Sequence, residues 1–123
     1  MTFALNITTA AERKEAARER ALENLAGLRW AICEAGVTLP NGVQVPGDDN
    51  TRLALSGAVS ALDKGMISAP VAWKTPSGFV ALSQAEVEAA AAAIVQHIQR
   101  CFDAEGAVAA QIAATADPAS FDF

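Results

Sequence analysis

The residue types in this chain that could do chemistry are few and scattered. Asp48-Asp49-Asn50 is the leading metal candidate, in the stretch GVTLPNGVQVPGDDNTR over residues 36–52. Calcium loops need oxygen ligands at alternating positions and a distal bidentate acid. Here two acids are adjacent, and the next, Asp63, lies beyond a run that reads as helix. The triplet therefore reads as a helix cap, and no metal-ligating residues are expected.

His97 is the single histidine. It sits on the flank of an apolar helical stripe, beside Ile98 and two positions from Val95. A general base needs a partner within hydrogen-bond reach, and the following acids, Asp103 and Glu105, are not at helical contact spacing from it. Cys101 is four residues on and shares a helical face with His97, yet no third orienting group or oxyanion feature accompanies them. Ser56, Ser60 and Ser83 lack any G-x-S-x-G setting, and no glycine-rich phosphate loop is present. Cys33 and Cys101 have no CxxC partner and read as small core fillers. No catalytic and no cofactor-binding residue is expected, and the chain reads as a non-enzyme, with a small-molecule enzyme a distant alternative.

Those side chains must be carried by a scaffold of 123 residues, long enough for a modest core. Hydrophobic residues make up 52%, but alanine alone occurs 29 times, so the large apolar side chains have to be used economically. A net charge of −5 disfavours nucleic acid, which needs clustered Lys and Arg on one face. The basic residues Arg13, Lys14, Arg18 and Arg20 alternate with Glu12, Glu15 and Glu19, the pattern of a solvated, salt-bridged helix face. No run approaches the roughly 18 apolar residues of a membrane span, and no secretory apolar segment follows the start. The expectation is an intracellularly made, soluble protein with neither nucleic acid nor membrane as partner.

Capping and periodicity give the elements. Thr9 with Glu12 is a capping-box pattern opening a helix whose stripe runs through Ala17, Ala21, Leu25, Leu28 and Ile32 and stops at Gly36. Val37-Thr38-Leu39 and Val43-Gln44-Val45 read as a hairpin around Pro40-Asn41-Gly42, with Asn-Gly expected to supply positive φ angles. Asp48, Asp49 or Asn50 then caps a second helix containing Leu53, Leu55, Val59 and Leu62, ending near Gly65. Residues 71–74 and 79–82 form a second hairpin around Thr75-Pro76-Ser77-Gly78. Ser83 and Glu86 form another capping box, opening the longest helix, with a stripe through Val87, Ala91, Ile94, Ile98 and Cys101. Glu105-Gly106 interrupts that stripe, with helix resuming to about Thr115.

The order is α-ββ-α-ββ-α, an α+β fold with long N- and C-terminal helices and two short antiparallel hairpins. Residues 1–8 are expected to be a flexible N-terminus, 9–116 a single domain, and 117–123 a loose tail. Trp30 and Trp73 are both expected to be substantially buried, joining helices to hairpins.

From Arg29 onwards the pattern resembles a small domain family of unknown function found in bacteriophage and prophage proteins, often near tail and tail-fibre genes. The resemblance rests on Arg29-Trp30, Gly36-Val37-Thr38-Leu39, Gly42-Val43-Gln44-Val45-Pro46 and the acidic turn before Thr51-Arg52. It continues through Leu55-Ser56-Gly57-Ala58, Val71-Ala72-Trp73-Lys74, Gly78-Phe79-Val80-Ala81-Leu82 and the run from His97 to Asp103, covering about residues 29 to 110. That family pattern often has Thr where Gly47 stands and Gln where Arg52 stands. The resemblance implies a structural or adaptor protein of a phage tail, in the virion or in host cytoplasm during assembly, with other phage tail proteins as partners. A tail-fibre assembly chaperone, not retained in the virion, is the alternative. A homo-oligomer is also expected, through helical ends. A stripe from Val87 to Ile112 would span about 39 Å as continuous helix, against a radius of gyration of about 14 Å, and would leave Val108 and Ile112 uncovered.

Overall fold

The computed structural model describes residues 9–118. Its elements are α1 (Ala10–Ala35), β1 (Val37–Thr38), β2 (Gln44–Val45), α2 (Asp49–Asp63), β3 (Val71–Thr75), β4 (Gly78–Leu82) and α3 (Gln84–Ala114). This is the expected α+β order, with long outer helices and two antiparallel hairpins, β1–β2 and β3–β4. The expected flexible residues 1–8 lie outside the described residues. Of the expected loose tail, Asp117 and Pro118 are described, and Pro118 is fully buried.

Local chemistry sets the element ends. The Thr9 hydroxyl accepts the Glu12 amide at 3.0 Å and starts α1. Gly36, at φ +71°, ends it, donating its amide to the Cys33 carbonyl. At the end of α2, Gly65 donates to the Leu62 carbonyl and Met66 to the Ala61 carbonyl, the two bonds of a Schellman motif. Ser83 and Glu86 satisfy each other reciprocally at the start of α3: the Glu86 amide donates to Ser83 Oγ, and the Ser83 amide to Glu86 Oε1.

The first hairpin differs from the expected tight Asn-Gly turn. Leu39 pairs with Val43, and the Gly42 amide donates to the Leu39 carbonyl, leaving a three-residue loop. Only Gly42 has positive φ, at +85°, and Asn41 does not. Pro40 fixes the first loop position, and one left-handed glycine restores the strand register. The second hairpin turns in two residues, Pro76 and Ser77. Buried Thr75 donates its hydroxyl to the Gly78 carbonyl and accepts the Ser77 amide.

The chain falls into two compact units. One comprises residues 31–101. Its core joins Leu39 and Val45 of the first hairpin, Leu55 and Leu62 of α2, Leu82 of β4, and Val87, Ala90 and Ile94 of α3. Trp73 is half-buried against it and lies opposite Val80 in the β3–β4 register. Leu53, expected within the α2 stripe, is 74% exposed.

The other unit comprises the described residues 9–30 and 102–118. Ala21 and Leu25 of α1 pack on Ile112, with Val108 and Ala109 beside them. Arg18 donates to the Ile112 and Thr115 carbonyls. Arg29 Nε lies 3.2 Å from Glu105 Oε1, and its guanidinium covers the Phe102 ring at 4.7 Å. The expected interruption at Glu105-Gly106 is absent, and α3 is continuous to Ala114. Glu105 is drawn onto Arg29, and Gly106 meets open space, so nothing there deflects the helix. Ile112 is fully buried and Val108 half-buried, so the uncovered surface expected for self-association is filled by the chain itself.

Trp30 is 60% exposed, against expectation. It lies five residues after buried Leu25, about 140° around the helix, and so points away from the packed stripe.

Candidate functional site

Asp48 is the N-cap of α2, which places the first candidate. Its Oδ2 accepts the Thr51 amide at 3.0 Å and its Oδ1 accepts the Thr51 hydroxyl at 2.6 Å. Those bonds, the hydroxyl's first, hold its carboxyl below the usual range. Asp49 turns instead to Arg52 in an ion pair, and Asn50 is exposed. Both Asp48 oxygens are thus engaged in starting a helix, and the two aspartates face different partners.

Ser83 is likewise occupied as a cap. Glu86 is held below its usual pKa by the Ser83 amide first and the Ser83 hydroxyl next, with Asn41 adding to it. Asn41 Nδ2 reaches Glu86 Oε2 at 3.2 Å while its own Oδ1 accepts the Val43 amide. The tip of the first hairpin is thereby tied to the start of α3.

His97 does what its sequence setting did not disclose. Its Nε2 lies 2.9 Å from the Ile32 carbonyl oxygen, at the C-terminal end of α1. The last carbonyls of a helix have no partner within it. Here Ile32 is met by His97, Cys33 by the Gly36 amide, and Glu34 by the Gly47 amide. Gly47 approaches so closely that a β-carbon would stand 1.6 Å from the Cys33 carbonyl oxygen. A side chain such as the threonine of the resembled pattern has no room in this packing. Cys101 Sγ is 3.8 Å from His97 Nε2, and both cysteines are thiols, Cys33 buried and Cys101 half-buried. A carbonyl only accepts, so His97 Nε2 carries its proton toward Ile32 and presents no lone pair to the Cys101 thiol. His97 is thus arranged for capping a helix.

A concave feature that sequence reasoning missed is a groove of about 380 Å³ between α2 and α3. Arg52, Leu55, Ser56, Val59, Ser60 and Asp63 line it from α2, and Ala91, Ile94 and Val95 from α3. Leu55 and Ile94 form its buried floor, while Val95 stands 64% exposed at its edge. The signal lay in the α2 sequence: Arg52, Ser56, Val59 and Asp63 recur at spacings of three and four, a second face beside the apolar one. Among the described residues, no group of three or more His, Cys, Asp or Glu side chains is placed to hold a metal, and no helix is long and apolar enough to cross a membrane.

The chain matches, over residues 16–123, the family described as a domain of unknown function (DUF4376), and it belongs to that family. The match takes in every element except the first turns of α1. No curated protein and no solved structure matches it.

Proposed function

With membership of this domain family as the premise, we propose that the chain is a non-enzymatic structural or adaptor protein of a bacteriophage or prophage tail, acting through protein–protein contacts. The reading is carried by the ordered resemblance from Arg29 to about residue 110 to domains found near tail and tail-fibre genes. Two features of the fold support it. The polar residues that could have done chemistry are spent on structure: Asp48, Ser83 and Glu86 start helices, and His97 ends one. Large apolar side chains stand in solvent, with Leu53, Met66 and Phe79 each 74% exposed and Trp30 60%. Single exposed apolar residues are ordinary, and these four are available for contact with other proteins.

Deleting the gene from the phage that carries it tests the reading. The expected result is heads that package DNA but carry defective tails or lack fibres, seen by electron microscopy. Infectious particles of normal form would overturn it. A fibre defect from a protein absent from finished particles would replace it with the chaperone reading.

A further inference from the structure

The groove between α2 and α3 carries opposite charges at its two ends. Arg52 stands in the first turn of α2 and Asp63 is its last residue, about 16 Å apart along the axis at the α-helical rise. Between them, the short side chains of Ser56, Ser60 and Ala91 leave the groove open over its apolar floor. Its edge carries a large apolar group in solvent, Val95 on α3, and exposed Leu53 stands on α2 beside the lining residues, one turn before Ser56. Among the described residues, Arg52 Nε is a buried side-chain nitrogen with no hydrogen-bond partner. One Nη meets Asp49, and the Arg52 side chain is still 41% exposed, so the guanidinium faces solvent at this end of the groove.

We propose that this groove is the face through which two copies of the chain associate, about a two-fold axis crossing α2 near Ser56 and Val59. The charge pattern selects the occupant. A two-fold operation lays the partner's α2 antiparallel, so Arg52 of each copy meets Asp63 of the other, and the pairing occurs twice. Charges of one sign at both ends would make the same face repel itself. The antiparallel arrangement also opposes the two helix dipoles. Val95 of each copy then meets Val59 and Ala91 of the other, which are half-buried in the single chain, with the serines permitting close approach. Asp49 and Gln84, which meet Arg52 and Asp63 within the chain, are exposed and remain beside the new pairs. This assigns self-association to the middle of the chain rather than to the helical ends, and it does not rest on the tail reading.

Sedimentation velocity from low to high micromolar concentration tests it. The wild-type chain is expected to approach twice its 12.7 kDa mass as concentration rises. Val95→Glu changes a side chain already in solvent and is expected to remain a monomer. Arg52→Glu and Asp63→Lys each place like charges at both ends, so each alone is expected to be monomeric. Mixed in equal amounts they are expected to form a dimer, one partner acidic at both ends and the other basic. Both reversals suit the dipole of α2, acid near its start and base near its end, so circular dichroism is expected to show each folded. A wild-type chain that stays monomeric throughout would overturn the proposal. So would a dimer indifferent to these substitutions, or folded charge variants that do not associate on mixing.

Discussion

His97 Nε2 stands 2.9 Å from the carbonyl oxygen of Ile32, joining two helices 65 residues apart in the chain. The carbonyl belongs to the last turn of α1, where the helix itself supplies no donor. Replacing His97 with Ala removes that donor, and the expected loss is about 1 kcal/mol. Urea denaturation should show it as a lower midpoint with an unchanged slope. A variant as stable as the wild type would mean that water serves the carbonyl equally well.

Glycines separate two kinds of position. Gly47→Ala would force a β-carbon to within 1.6 Å of the Cys33 carbonyl, so the end of α1 and the segment between β2 and α2 must part. A loss of more than about 2 kcal/mol is expected, in the range of mutations that strain a fixed backbone. Gly106→Ala meets nothing within 4 Å, inside a continuous helix. There the expected change is a gain of about 0.5–1 kcal/mol. Thermal melts of both variants check the pair, and a loss at Gly106 would contradict the unbroken α3.

Acid should weaken the domain through its caps. Asp48 and Glu86 both have folded-state pKa values lowered by hydrogen bonds to their charged forms. A depressed carboxylate contributes stability above its unfolded pKa, and that contribution is lost as pH falls through the folded value. Stability is therefore expected to hold at neutral pH and to decline from the ordinary carboxylate range, about pH 4, downward. Urea midpoints from pH 7 to pH 3 measure this. Asp48→Asn keeps a capping oxygen but cannot titrate, so its decline should be shallower than that of the wild type.

What was legible in the sequence was local. Thr9 with Glu12, Ser83 with Glu86, and Gly65 mark helix ends through partners within a few residues, so their meaning survives without the rest of the chain. The element order followed from such signals. The expected double positive φ at Asn41-Gly42 failed because Pro40 favours a longer loop needing only one left-handed residue. Distant relations stayed hidden. Nothing near His97 announces Ile32, nothing near Gly47 announces the close carbonyl of Cys33, and Asn41 finds Glu86 across the fold. The candidate site fared similarly. Of Asp48, Asp49 and Asn50, the three cap candidates legible in the sequence, Asp48 is the cap, but the α2–α3 groove depends on which faces two helices leave unfilled.

The two tryptophans should report different surroundings. Trp30 is 60% exposed, whereas Trp73 is half-buried against the core. Trp30→Phe should leave blue-shifted emission shielded from acrylamide, and Trp73→Phe should leave red-shifted, readily quenched emission. Trp73→Ala is expected to cost somewhat less than the about 3–5 kcal/mol of a fully buried tryptophan. Equal quenching of the two single-tryptophan variants would contradict the placement of Trp30.

The claim that the chain serves a phage tail by protein contacts is tested most directly by quantitative mass spectrometry of purified, intact virions. Peptides of this chain are expected at a fixed ratio to the tail proteins across preparations, and to leave with the tails when heads and tails are separated. Particles that are complete and infectious yet lack the chain would contradict its place in the tail.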